Sequence, residues 1–195
     1  MHPRLSNLVL GYHGCNKSTF DNVIRKHQQL KKSENPYDWL GHGIYFWENN
    51  PNRALEWAKE TAKRKGLDVK DVAVVGAVLD LGVCLNLTDN YSLELVKKSY
   101  EMYSAFHHFI DKKLPKNKVL DESSNYLLRD LDCAVIEFLH STLRKLNQEP
   151  FDSVRGVFVE GEELYPTSGF REKTHIQLCV INPKCIRGYF SPPKT

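Results

Sequence analysis

The sequence has no CxxC pair, no apolar run long enough to cross a membrane, no internal repeat and no strong excess of either charge. Its five cysteines, Cys15, Cys84, Cys133, Cys179 and Cys185, are odd in number and spaced like neither a disulfide framework nor a zinc ribbon. They read as reduced thiols that behave as small hydrophobes. No stretch approaches the roughly 18 unbroken apolar residues of a membrane-spanning helix. The N-terminus also lacks the basic-then-apolar layout of a signal peptide. A cytoplasmic protein with no membrane partner is expected. The formal charge of +3, from 27 Lys and Arg against 24 Asp and Glu, is too balanced for a dedicated nucleic-acid binder. It still allows a small anionic ligand.

What is present is enough apolar sequence, 41% of 195 residues, to bury a real core. A single domain spanning residues 1–195 is expected. LSNLVLGYHGC reads as a short apolar strand closed by a glycine turn. STFDNVIRKHQQL reads as a capped helix with Phe20, Val23, Ile24 and Leu30 on one period. After a loop, GIYFW reads as a strand, with Ile44 and Phe46 on one face and Gly43, Tyr45 and Trp47 on the other. ENNPNRALEWAKETAKRKG reads as a helix with Pro51 in its first turn and Gly66 at its end.

VAVVGAVLDLGVCLNL is β-branched and apolar, one long or two short strands, with Gly76 and Gly82 as bends or bulges. Residues 91–149 read as a helical insert of two periodic segments, SLELVKKSYEMYSAFHHFIDKKL and NYLLRDLDCAVIEFLHSTLRKLN, joined by a Lys-rich linker. Strands return in VRGVFVEG and THIQLCVI, joined by the loop GEELYPTSGFREK, and NPKCIRGYF follows. This order excludes a repeated βαβ series and favours an α+β fold.

Three segments in this order, YHG at Tyr12–Gly14, GHGIYF at Gly41–Phe46 and the late strand THIQLCVI, resemble the ADP-ribosyltransferase superfamily on its diphtheria-toxin and poly(ADP-ribose) polymerase side. The resemblance covers roughly residues 8–90 and 154–190 and leaves the helical insert outside. It implies a split β-sandwich with flanking helices, NAD as co-substrate and no metal. The implied activity is mono-ADP-ribosyl transfer to an unidentified macromolecular acceptor, protein or nucleic acid, with release of nicotinamide. NAD glycohydrolysis and a non-catalytic NAD or ADP-ribose binding module are the alternatives. A helical interaction protein working through residues 91–149 is a further class.

The resemblance also implies roles. His13 would hydrogen-bond a hydroxyl of the nicotinamide ribose, and Gly14 would let the backbone approach the nicotinamide amide. Tyr45 would be the wall on which nicotinamide stacks, and Trp57 a second aromatic, with Glu56 competing for that place. Gln177 falls where the family carries glutamate, with His175 two residues earlier on the same face. Glutamine can orient a ribose, but it can neither stabilise a cationic sugar as a carboxylate does nor act as a base. Single additions rather than a polymer are therefore implied. Glu160, Glu162, Glu163 and Glu172 are nearby acids, and Tyr165 and Phe170 make their loop a plausible recognition element. The adjacent His107 and His108 point in different directions on a helix and are a poor metal pair. Lys112 to Lys118 reads as a solvated loop.

Overall fold

The computed structural model describes residues 8–119 and 126–193. It has an α+β architecture: one mixed sheet of seven strands, a separate two-stranded ribbon and four α-helices. Strand β1 (Val9–Asn16) runs straight through Tyr12, His13 and Gly14 into helix α1 (Lys17–Ile24), whose first turn is capped by the Asn16 side chain accepting from the Thr19 amide. The expected turn at the glycine is absent, because Gly14 keeps its place in the ladder opposite Val74. Helix α1 also stops earlier than its periodicity suggested. His27 adopts a φ of 54°, and Leu30 is buried from the following loop instead of from the helix.

Strand β2 (Ile44–Glu48) and helix α2 (Pro51–Arg64) follow as expected, with Pro51 at the helix start, Asn50 as its cap and Gly66 in the left-handed region at φ 66° beyond its end. The stretch VAVVGAVLDLGVCLNL makes two strands with different destinations. Strand β3 (Val72–Leu79) pairs with β1, and β4 (Cys84–Asn86) lies at the opposite edge of the sheet. Gly82, at φ 60°, makes the break. Gly76 does not bend the chain. It stays paired with Tyr12 and Phe190, and a Cβ there would meet the Phe190 ring at 2.4 Å.

The insert differs most from expectation. Helix α3 (Asn90–Phe109) forms, but the linker after it holds strand β5 (Asn117–Val119), which pairs with β6 (Tyr126–Arg129), a strand where the second segment was expected to be helical. Helix α4 (Asp130–Lys145) starts five residues later than the segment NYLLRDLDC suggested. The reason lies across the ribbon: the Asn117 amide oxygen accepts from the amides of Leu131 and Asp132 at 2.9 and 3.3 Å, capping the helix there. Residues 120–125, part of that linker, lie outside the described residues.

Strands β7 (Ser153–Phe158), β8 (His175–Val180) and β9 (Ile186–Phe190) complete the sheet, in the order β4-β7-β8-β2-β1-β3-β9. All neighbours are antiparallel except β4 and β7. Two apolar clusters cover opposite faces. Val23, Ile44, Phe46, Val75 and Leu178 pack with α1 on one, and Trp39, Leu40, Leu85, Ile136 and Val154 pack with α4 on the other. This alternation along β2 matches the period-two reading of GIYFW. Among the described residues no helix is long and apolar enough to cross a membrane.

Candidate functional site

Strands β1 and β2 share register only at Gly11–Glu48 and Tyr12–Trp47. His13, the next residue, stands where the two strands part. Its ring lies edge-on to Phe46, with centroids 5.9 Å apart, and its Nδ1 is 2.8 Å from the carbonyl oxygen of Tyr45. A carbonyl can only accept, so Nδ1 carries the proton and Nε2 of the neutral ring is left as an acceptor. Burial lowers the His13 pKa and so favours the neutral ring, while the bond to Tyr45 opposes the shift.

His13, Gly14 and Trp57 line one cavity of about 620 Å³ between β1, α1 and α2. Its walls carry amide and hydroxyl groups, among them Asn16, Thr19, Gln28 and Thr61, with Lys31 and Lys65 as cations and Asp68 and Asp71 as acids. Cys15 is also there, but burial pushes its thiol up to about 11, so it supplies no thiolate at neutral pH. Gly14 is required for packing: a Cβ on it would stand 2.1 Å from the Ala54 carbonyl oxygen, so α2 lies directly on β1 at this point. It can offer a ligand only its peptide edge.

The structure does not bring Tyr45 and Gln177 to this cavity. Tyr45 packs against the cluster of Trp39, Leu40 and Ile136, and its hydroxyl donates to the Gly41 carbonyl at 2.9 Å while accepting from the Leu40 amide at 3.0 Å. Burial raises its pKa well above the usual phenol range. Tyr45 therefore pins the turn that precedes its own strand. Gln177 pairs with Trp47 and Gly156, and its amide oxygen accepts from Trp39 Nε1 at 2.6 Å.

His175, the residue at the start of β8, is buried and donates from Nδ1 to the Lys173 carbonyl at 2.6 Å. Its Nε2 has no hydrogen-bond partner among the described residues, and neither has the equally buried Nε1 of Trp47, whose ring centroid is 6.0 Å away. Five rings run in succession from the cavity: Trp57 to Trp47 at 5.3 Å, Trp47 to His175 at 6.0 Å, His175 to Phe158 at 5.5 Å and Phe158 to Trp39 at 5.3 Å. Two of the five, Trp39 and Trp47, bracket the stretch WLGHGIYFW, and that spacing was the signal available for them.

Arg53 had no signal in sequence. It lies on α2, is only 4% exposed, and meets three carboxylates: Glu160 at 2.7 Å, Glu60 at 3.5 Å and Glu56 at 3.8 Å. Glu160 is thus held by an ion pair, and Glu56 turns to Arg53 in place of the cavity aromatic, which is Trp57. Glu163 pairs with Arg171 within the exposed loop that carries Tyr165 and Phe170. Among the described residues no group of three or more His, Cys, Asp or Glu side chains is placed to hold a metal ion.

The chain is 24% identical over 197 residues to an uncharacterised protein, MJ0359, of Methanocaldococcus jannaschii, a similarity covering 90% of this chain and 83% of that one. No protein-family model and no solved structure matches the chain.

Proposed function

We propose that this chain is an NAD-dependent mono-ADP-ribosyltransferase built on a split β-sandwich, with the nicotinamide ribose held beside His13. The observation that carries the reading is the His13–Tyr45 hydrogen bond, which fixes the tautomer and leaves Nε2 able to accept from a ribose hydroxyl next to a large cavity. The volume and the amide, hydroxyl and lysine groups of its lining suit a nucleotide. NAD would supply the scissile glycosidic bond. The residues of the chain would bind and orient it: His13 the ribose, the Gly14 peptide edge and Trp57 the base, Lys31 and Lys65 the phosphates. Tyr45 would act only through His13 and the Leu40–Gly43 turn.

The acceptor is a macromolecule, and the loop with Tyr165 and Phe170 is the surface that would meet it. At the third position His175, whose Nε2 has no partner among the described residues, is better disposed than Gln177 to accept a hydrogen bond, while burial lowers its pKa and keeps the ring neutral. A second reading, a non-catalytic NAD or ADP-ribose module, is favoured by one observation: the Gln177 amide is committed to Trp39 and the Glu160 carboxylate to Arg53.

The test is purified protein with NAD labelled on its adenylate side, with and without cell lysate, beside His13→Gln, Trp57→Leu and His175→Ala. Label entering macromolecules, falling more than tenfold in His13→Gln, supports transfer. Nicotinamide release without labelled product supports hydrolysis instead. NAD binding by wild type that weakens in Trp57→Leu, with no turnover in any sample, supports the module and ends the transferase reading.

A further inference from the structure

A second cavity, of about 440 Å³, opens on the other side of the ring series, between the first half of α3, the start of α4 and strand β7. Its walls are mostly apolar, with Trp39, Leu93, Val96, Leu131 and Val135 the main contributors. A volume of this size falls within the range of roughly 300–1,000 Å³ that small-molecule sites occupy. Charge enters it from two cations, Arg129 and Lys97, against one carboxylate, Asp132.

Arg129 is the polar centre of this site. Its guanidinium lies over the Trp39 ring at 4.6 Å and the Phe158 ring at 5.2 Å, so two aromatic faces hold it in one orientation. Its Nε is buried and closes no hydrogen bond, reaching Asp132 Oδ2 only at 3.4 Å. Asp132 is also shared, since it accepts from Asn117 Nδ2 at 2.8 Å. Burial lowers the Arg129 pKa, a sign that desolvation of the cation outweighs the attraction of Asp132, its anionic neighbour among the described residues. An oriented, under-compensated guanidinium at the edge of an apolar cavity has the two features that recognise a carboxylate carried on an apolar body. Lys97, exposed on α3, adds a second attractive charge at the rim.

We propose that this cavity binds a small amphipathic carboxylate, its head on Arg129 and its apolar body along Trp39, Val96 and Val135. The site is separate from the His13 cavity, and the proposal stands or falls independently of the transferase reading.

Isothermal titration of the full chain with octanoate, octylammonium and acetate tests it. Octanoate is expected to bind at one site, with octylammonium and acetate at least tenfold weaker, since one lacks the matching charge and the other the apolar body. Arg129→Gln should weaken octanoate about tenfold or more, and Arg129→Lys should restore part of the loss. Because Arg129 is packed on two rings, Leu93→Trp, at an exposed position on the rim, provides a second variant that blocks the cavity without touching the core. Equal binding of octanoate and octylammonium, or octanoate binding unchanged in both Arg129→Gln and Leu93→Trp, would overturn the proposal and leave a nonspecific apolar surface. No octanoate binding at millimolar concentration overturns it as well.

Discussion

Trp39 donates its indole N–H to the side-chain oxygen of Gln177 at 2.6 Å, across 138 residues of sequence. This bond joins the loop before β2 to the middle of β8, and it gives Gln177 a structural task.

Gln177→Ala should therefore lower stability as well as any activity. Leaving the indole N–H without a partner costs about 1–3 kcal/mol. Thermal unfolding should show a drop in Tm of several degrees, whereas a residue serving only a ligand would leave the Tm of the free protein unchanged.

Gly14→Ala should be strongly destabilising even without ligand, because the new methyl would overlap the Ala54 carbonyl oxygen and push α2 off the sheet. Overpacking of this kind costs about 1–3 kcal/mol. Gly169→Ala, with nothing within 4 Å of the added Cβ, is the matched control and should stay within about 0.5 kcal/mol of wild type. Urea midpoints of the two variants decide the matter.

His140, on α4, is 1% exposed, and burial pushes its pKa down to about 4. The native state holds the ring neutral, whereas the unfolded chain takes up a proton below its ordinary value of about 6.5. The stability associated with the neutral ring is thus complete above pH 6.5 and is lost as the pH falls towards 4, a loss on the order of 3 kcal/mol. The buried rings of His13 and His175 are shifted in the same direction and add to the trend. His140→Phe should flatten the pH dependence of the urea midpoint between pH 7 and pH 5.

Arg53→Met should cost more than Glu160→Gln. Removing the arginine takes away the cation that Glu56, Glu60 and Glu160 share and, among the described residues, leaves only Glu60 with another, Lys173 at 3.0 Å. Removing Glu160 leaves two carboxylates still within ion-pair range of the guanidinium. Chemical denaturation of the two variants checks the order, and the reverse order would mean that Glu160 alone compensates the arginine.

Much of the fold was legible locally. Alternation along GIYFW, the capped and proline-started helix after it, and the β-branched run after Gly66 each carry their own conformational preference, so β2, α2 and β3 form where the pattern puts them. The misjudged elements are those decided by a distant partner. Helix α4 starts late because Asn117 caps it from across a ribbon, and β4 leaves β3 for the far edge of the sheet, where the β7 backbone accepts it.

The site divides the same way. By itself the sequence determined that His13 and Gly14 lie on an apolar strand that leads into a helix and that Tyr45 alternates away from Phe46, since period and side-chain type are local properties. Only the tertiary structure decided that His13 and Trp57 share a cavity, that Tyr45 and Gln177 face the other cluster, and that Arg53 gathers three acids. Those relations depend on which strands become neighbours and on where buried polar atoms find partners, and a linear pattern carries neither.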